Sequence, residues 1–148
     1  MTESILILNG PNLNLLGKRE PAVYGDQTLD DLRQACLDWA RALDLTADFR
    51  QTNDEGRLVD WIQEGGAAGK IIILNAAAYT HTSVALRDAI IGSEATVIEV
   101  HISNIHAREA FRHVSHISPV ACGLICGFGI DGYRLALEAA HGLANRTK

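Results

Sequence analysis

Glu99 and His101 lie two positions apart in an apolar run, and together they could transfer a proton. Side chains at positions i and i+2 of a strand point to the same face, so this carboxylate can contact this imidazole. A carboxylate partner fixes the imidazole tautomer and stabilises its charged form, which suits a histidine that donates a proton. The spacing therefore predicts a general acid with its orienting carboxylate, and a purely structural Glu-His pair is the alternative.

Further candidate groups lie in polar segments. The long segment that follows the first apolar run carries a fixed cation, Arg19, and a phenol, Tyr24. Loops of that length are uncommon in compact domains unless they are functional or disordered. His81 precedes an expected helix start, where a structural role and a ligand contact are equally open. Arg108 and Arg112 are four residues apart and share one face if their segment is helical. They would suit a substrate carboxylate or the activation of an acid, with a solvated helix face as the alternative.

Apolar runs alternate with amphipathic stretches along the whole chain, which predicts alternating strands and helices. The expected strands cover residues 5–8, 45–49, 71–74, 96–100 and 123–128. Alternation with short connections implies right-handed crossovers and a mostly parallel sheet that is covered on both faces. By analogy, five such strands favour an α/β flavodoxin-like three-layer sandwich with strand order 2-1-3-4-5.

Four helices are expected between and after these strands. Thr28 with Asp31 is a helix start typical of a capping box, Asp54 begins a second helix that ends at Gly65-Gly66, and Thr82 or Ser83 caps a third. The closing helix, 132–143, carries Leu135, Ala139 and Leu143 on one side.

Polar residues follow three of the expected strands. They are Asn9 to Asn12 after the first, Asn75 after the third, and His101 to Asn104 after the fourth. The carboxyl ends of parallel strands form one edge of a sheet, where ligands bind in such folds. Asn and Ser also suit turns, but their coincidence at three strand ends favours a site.

Composition limits the classes of function. The 148 residues, 47% of them hydrophobic, predict one domain, 1–148, with a sizeable core. The net charge of -5 argues against nucleic acid or an anionic membrane as a partner. We find no leader-like segment and no membrane-length apolar run, so we expect a cytoplasmic protein. The three cysteines, Cys36, Cys122 and Cys126, lie in apolar stretches and are expected to be buried thiols.

Two motifs are rejected as sites. The segment 127–132 matches the dinucleotide pattern GxGxxG, but too little chain follows it to supply a ribose-binding acid on another strand. His106, His113 and His116 lack a ligating carboxylate or cysteine at a suitable spacing, so no metal is predicted. A flavin or nucleotide module and a phosphoryl receiver remain rival classes on this fold. The receiver needs carboxylates where this chain has Asn9 and Asn75.

Taken together, several motifs closely resemble those of the type II 3-dehydroquinate dehydratase family, and the resemblance covers nearly the whole chain. The motifs are Asn9-Gly10-Pro11-Asn12-Leu13-Asn14-Leu15-Leu16-Gly17, Arg19-Glu20-Pro21, Tyr24-Gly25, Asn75, Thr80-His81-Thr82-Ser83, Leu86-Arg87-Asp88 and Glu99-Val100-His101-Ile102-Ser103-Asn104. The resemblance implies dehydration of 3-dehydroquinate to 3-dehydroshikimate by anti elimination through an enolate, without a cofactor or metal. It also implies trimers packed into a homododecamer.

The resemblance also implies a role for each matched residue. Tyr24 matches the base, and Arg19 matches the partner that favours its phenolate. His101 matches the general acid and Glu99 its orienter, while Asn12 matches the residue that holds a water against the enolate oxygen. Substrate contacts are matched by Asn75, His81, Ile102, Ser103 and Arg112, with Arg108 as a supporting residue; Asp88 matches a residue that reaches a neighbouring subunit's site. The segment near 18–26 would be a lid that carries the base.

Overall fold

A five-stranded parallel sheet forms the centre of the protein in a computed structural model that describes residues 3–18, 22 and 25–146. The strands are β1 (Glu3–Asn9), β2 (Leu45–Gln51), β3 (Ile71–Asn75), β4 (Thr96–His101) and β5 (Gly123–Cys126). Their order is β2-β1-β3-β4-β5, and all pairs are parallel. The expected flavodoxin-like order is therefore confirmed.

Four α-helices cover the sheet. They are α1 (Leu29–Ala42), α2 (Glu55–Ala67), α3 (Val84–Gly92) and α4 (Asp131–Arg146). Alternate residues of β1 explain the two layers: Ile5 and Ile7 pack in a cluster with residues of α1 and α4, whereas Leu6 and Leu8 pack with α2 and α3. These four side chains are fully buried, as expected for a parallel strand covered on both faces. None of the helices in the described part of the chain is long and apolar enough to cross a bilayer.

The helix starts follow the expected caps. Thr28 Oγ1 accepts from Asp31 N and the Asp31 carboxylate accepts from Thr28 N, each at 3.1 Å, which completes the capping box of α1. Asp54 caps α2, and Ser83 rather than Thr82 caps α3. Such caps satisfy amide groups that have no partner within the helix.

The expected end of α2 at Gly65-Gly66 is wrong, because the helix continues to Ala67. Gly65 lies inside it for a packing reason: a Cβ at this position would lie 2.8 Å from Ile72 Cδ1. The turn comes later, at Gly69, where φ is +67°. A glycine pair in a helix can therefore mark close contact with a sheet as well as an end.

The expected end of the last strand is also wrong, and the predicted side of the closing helix is not its most buried side. The strand stops at Cys126, not Phe128, before Gly127 with φ of +94°. The side of α4 with Leu135, Ala139 and Leu143 is half-buried or exposed, and the buried side carries Tyr133, Ala136, Leu137, Ala140 and Ala144. Small alanines let α4 approach the sheet closely, so its buried stripe is weaker in sequence than its leucine stripe.

The prediction that all three cysteines are buried holds only for Cys36. Cys122 is exposed and Cys126 is half-buried. Both flank or end β5, which is an edge strand with a neighbour on one side only, so an apolar sequence there does not ensure burial in the single chain.

Candidate active site

A cleft opens at the carboxyl edge of the sheet, where β1, β3 and β4 end. Eight of the predicted site residues line it: Asn12, Asn75, His81, His101, Ile102, Ser103, Arg108 and Arg112. They come from four separate segments of the chain, and the parallel strands bring these segments together. The expectation that the polar strand ends form one site is therefore met by the geometry.

Glu99 and His101 form a buried pair beside this cleft. His101 Nε2 donates to Glu99 Oε2 at 2.6 Å, and the side chains are 5% and 0% exposed, respectively. Both lie on β4 and point to the same face, as their spacing predicts. With Nε2 held by the carboxylate, Nδ1 is the ring nitrogen left to act on a ligand.

Two serines complete the environment of Glu99. Ser115 Oγ donates to Glu99 Oε2 at 3.0 Å, and Ser118 Oγ donates to Glu99 Oε1. Burial raises the pKa of Glu99. The hydrogen bond and positive charge of His101, with the hydrogen bonds from the two serines, outweigh burial and hold that pKa below its ordinary value. The carboxylate is thereby kept charged and can stabilise an imidazolium.

His81 lies against His101 but has a different partner. Its Nδ1 donates to the backbone oxygen of Val114 at 2.8 Å, which leaves Nε2 as an acceptor in the neutral ring. Partial burial lowers the pKa of His81, and the positive charges of His101 and Arg112 lower it further. The Val114 hydrogen bond and the Glu99 charge act in the opposite direction but do not outweigh these effects. His81 is thus suited to accept a hydrogen bond from a ligand hydroxyl.

A buried chain of hydrogen bonds orients Asn75 at the end of β3. Asn75 Nδ2 donates to the Tyr133 hydroxyl at 2.8 Å, and that hydroxyl donates to Asn9 Oδ1 at 2.7 Å. Asn75 Oδ1 accepts from Ala77 N at 3.1 Å. One N–H of the Asn75 amide therefore donates to Tyr133, and the other is available to a ligand in the cleft.

The loop after β1 is held close to β3. A Cβ at Gly10 would lie 2.5 Å from the backbone oxygen of Ala76, so only glycine fits there. Asn12 has φ of +68°, a conformation that Asn tolerates better than most residues, and its N–H donates to Asn53 Oδ1 at 3.0 Å. The Asn-Gly-Pro-Asn run thus turns the exposed Asn12 side chain towards the cleft that it lines.

Arg108 and Arg112 both line the cleft, but the helix that would have placed them on one face does not form. Two short 3-10 turns, Ile105–Ala107 and Ala110–Arg112, flank an extended Arg108. Arg112 Nε donates to Glu109 Oε1 at 2.9 Å, and Arg108 Nη1 donates to Ser103 Oγ at 3.5 Å. An Asn104 cap starts the first turn, and the extended residue breaks helical continuity.

Three predicted residues are not brought into the cleft by the described chain. Asp88 lies exposed on α3 and is absent from the cleft lining. Arg19 and Tyr24 lie outside the described residues. No metal-holding group of three or more His, Cys, Asp or Glu side chains occurs among residues 3–18, 22 and 25–146.

Sequence reasoning missed three residues that support the site: Ser115, Ser118 and Tyr133. A signal existed for each of them. Serines three residues apart often form a side-chain turn, and a tyrosine on the apolar face of a helix needs a hydrogen-bond partner. What the sequence could not supply is the identity of the partners, because these lie on other strands.

Fold and site together define a flavodoxin-like α/β protein with a buried Glu-His pair beside a polar cleft at the carboxyl edge of its sheet. The model of the family "Dehydroquinase class II" matches residues 3–141, and this chain belongs to that family. A 3-dehydroquinate dehydratase of Brucella canis is 59% identical over all of this chain and 94% of its own. The crystal structure of a type II dehydroquinase from Propionibacterium acnes superposes with a TM-score of 0.93 at 44% identity, covering 96% of this chain and 98% of the other.

A more distant structure has the same fold. The 3-dehydroquinate dehydratase-like protein of Bifidobacterium longum gives a TM-score of 0.73 at 35% identity and covers 98% of this chain and 99% of its own.

Proposed function

We propose that this chain is a lyase that dehydrates 3-dehydroquinate to 3-dehydroshikimate by anti elimination of water through an enolate. The observation that carries the proposal is the buried Glu99–His101 pair beside a cleft lined by Asn12, Asn75 and His81. Family membership supports the same reaction, since the relatives at 59% identity are named for it.

The reaction has two proton transfers. Tyr24, as phenolate stabilised by Arg19, takes a proton from the carbon next to the ketone, and the electron pair moves onto the ketone oxygen to give the enolate. His101 then gives its proton to the leaving hydroxyl, the C–O bond breaks, and water departs as the enolate collapses to the conjugated enone. Substrate loses one water, and no electron acceptor is needed.

Glu99 assists the second transfer because its carboxylate stabilises the protonated His101 before the proton leaves. Asn12 would hold a water against the enolate oxygen, where hydrogen-bond donation matters most as charge develops. Neither step requires a metal or an organic cofactor.

The remaining cleft residues would orient the substrate. Asn75 offers a free amide N–H and Arg112 a cation for the ring hydroxyls. Ser103 and the Ile102 backbone suit the substrate carboxylate, and His81 on the same side would accept from a neighbouring hydroxyl. Arg108 would support Ser103, to which its guanidinium donates. Such positioning contributes to rate by holding the reacting atoms in line.

Residues 1–148 are proposed to form a single catalytic domain with a lid near 18–26 that brings Tyr24 over the bound substrate and excludes water. The assembly proposed is a homododecamer of trimers in the cytoplasm, with no nucleic-acid or membrane partner. Asp88, exposed on α3, would then reach a neighbouring subunit's site. If so, Asp88→Asn weakens assembly or substrate binding, and unchanged oligomer size with unchanged kinetics argues against that role.

The direct test is an ultraviolet assay of the purified chain with 3-dehydroquinate, which follows the absorbance of the conjugated enone. A rise in absorbance with wild-type protein, absent with His101→Ala at equal concentration, supports the proposal. No rise with folded wild-type protein removes it. Flavin absorbance in the purified protein would instead favour the flavin-binding alternative.

A further inference from the structure

One short segment, residues 114–118, binds His81 directly and also binds Glu99, the partner of His101, and we call it the serine turn. Its Val114 oxygen accepts from His81, and its His116 N–H donates to the Thr80 oxygen at 2.9 Å. Ile117 is 0% exposed and belongs to the core between the sheet and helices α2 and α3. The turn is therefore fixed to the core at one residue and to the cleft at its neighbours.

The hydroxyl of Ser115 has a fixed direction. Its oxygen accepts from Ile117 N at 3.1 Å and from Ser118 N at 2.9 Å. Because these two donors occupy the oxygen lone pairs, the hydroxyl proton must point elsewhere, and Glu99 Oε2 lies 3.0 Å away. Ser115 thus acts as a donor to Glu99.

Ser118 donates to the other carboxylate oxygen, Oε1. Glu99 is 0% exposed, so bulk water does not replace these donors. Together with His101, the two serines satisfy both oxygens of a buried carboxylate. Without them, a single imidazole would have to stabilise the buried charge, and burial would favour the neutral acid.

We propose that Ser115 and Ser118 are positioning residues for the reaction: they hold Glu99 ionised and in one orientation, so that Glu99 holds His101 with Nδ1 directed to the leaving hydroxyl. This inference rests on the proposed function, in which His101 is the general acid. A carboxylate that protonates or rotates would release the His101 Nε2–H and lose the ring orientation. The serine turn therefore acts through Glu99 and does not touch the substrate itself.

Ser118→Ala is the informative variant, because the only side-chain partner of this hydroxyl among the described residues is Glu99 and the backbone N–H to Ser115 is retained. Ser118→Thr keeps the hydroxyl and serves as the rescue variant. Ser93→Ala is the matched control, since the Ser93 hydroxyl donates at 2.7 Å to the Ala89 oxygen at the end of α3.

In the Ser118→Ala variant we expect kcat to fall about tenfold or more while KM changes less than about threefold, because an interaction of the acid and not of the bound substrate is lost. The acid-side fall of kcat should move to higher pH, since Glu99 loses a donor that favours its charged form. Ser118→Thr should recover most of kcat, and Ser93→Ala should match wild type. Wild-type kcat and pH profile in Ser118→Ala, together with an unchanged signal of the His101 ring, would overturn the proposal.

A second measurement separates this inference from the function on which it rests. Nitrogen NMR of histidine-labelled protein without substrate reports the hydrogen bond of the His101 ring. A changed His101 signal in Ser118→Ala, restored in Ser118→Thr, supports the positioning of His101 by Ser118. If that signal changes while kcat stays at the wild-type value, the positioning still holds, but His101 is not the acid. An unchanged His101 signal with a lowered melting temperature shows a merely structural turn and overturns the proposal.

Discussion

His81 and His101 stack with their ring planes 18° apart and their centroids 6.5 Å apart, but they bind groups of different charge. His101 donates to the Glu99 carboxylate, whereas His81 donates to the neutral Val114 oxygen. Two adjacent imidazoles would repel each other if both were charged. The partners therefore distinguish the two rings: a carboxylate beside His101 can stabilise a positive charge there, whereas the Val114 oxygen leaves His81 Nε2 as a hydrogen-bond acceptor.

Replacing His101 with alanine should lower kcat about 100-fold to 10,000-fold, the usual contribution of a general acid. The enone absorbance assay measures it, and His106→Ala is the matched control because His106 is exposed and outside the cleft lining. A near-normal rate in His101→Ala would assign the acid to another residue.

Tyr24→Phe should reduce kcat by a similar factor of about 100 to 10,000, because it removes the ionisable oxygen of the proposed base. The fold should be retained, since only that oxygen is lost, and circular dichroism and the melting temperature check this. A loss of less than about tenfold would mean that Tyr24 is not the base.

Tyr133→Phe should destabilise the protein by about 1–3 kcal/mol, because the change leaves Asn9 Oδ1 and Asn75 Nδ2 buried without their shared partner. Urea denaturation measures the change, with Tyr79→Phe as a comparison because the Tyr79 hydroxyl donates to the more exposed Asn53 oxygen. KM for 3-dehydroquinate should also rise as the Asn75 amide loses its fixed orientation. Unchanged stability and unchanged KM together would contradict this role of Tyr133.

The lowered pKa of His81 predicts how stability depends on pH. The folded chain favours neutral His81 more than the unfolded chain does. The contribution of His81 to the free energy of unfolding is therefore complete at pH values above its ordinary pKa of 6.5, and it is lost as pH falls through its lowered pKa in the folded chain. The melting temperature should therefore decrease as pH is lowered from neutral to mildly acidic, and the decrease should be smaller in His81→Gln than in wild type. An identical decrease in wild type and His81→Gln, with His106→Gln as the control, would show that other groups cause it.

Borohydride added with substrate should leave activity intact and add no substrate mass to the protein, because an enolate route needs no lysine. The alternative Schiff-base route requires a desolvated amine in the site. Lys18 is exposed, and Lys70 precedes β3 at the sheet edge opposite the cleft, while Lys148 lies outside the described residues. A reduced adduct on Lys18, accompanied by inactivation, would overturn the enolate mechanism.

The sequence predicted the parts of the site that depend on local geometry. The parallel sheet follows from the alternation of strands and helices, and the Glu99–His101 contact follows from the two-residue repeat of a strand, whereas the strand order was predicted by analogy. The spacing of Arg108 and Arg112 left their local structure open, because arginines four residues apart fit both a helix and the two short turns that form. Ser115, Ser118 and Tyr133 escaped prediction because their partners are distant in sequence, 16, 19 and up to 124 residues away.

The Tyr133–Asn9 hydrogen bond joins residues 124 positions apart, from the last helix to the first strand. During synthesis the chain emerges from its amino terminus, so Asn9 and Asn75 are made long before their common partner. The buried polar groups at the floor of the cleft must wait, hydrated or unpaired, until α4 has left the ribosome and packed on the sheet. The Asn75–Tyr133–Asn9 hydrogen bonds are therefore completed late in folding, and a nascent chain that lacks α4 cannot form them.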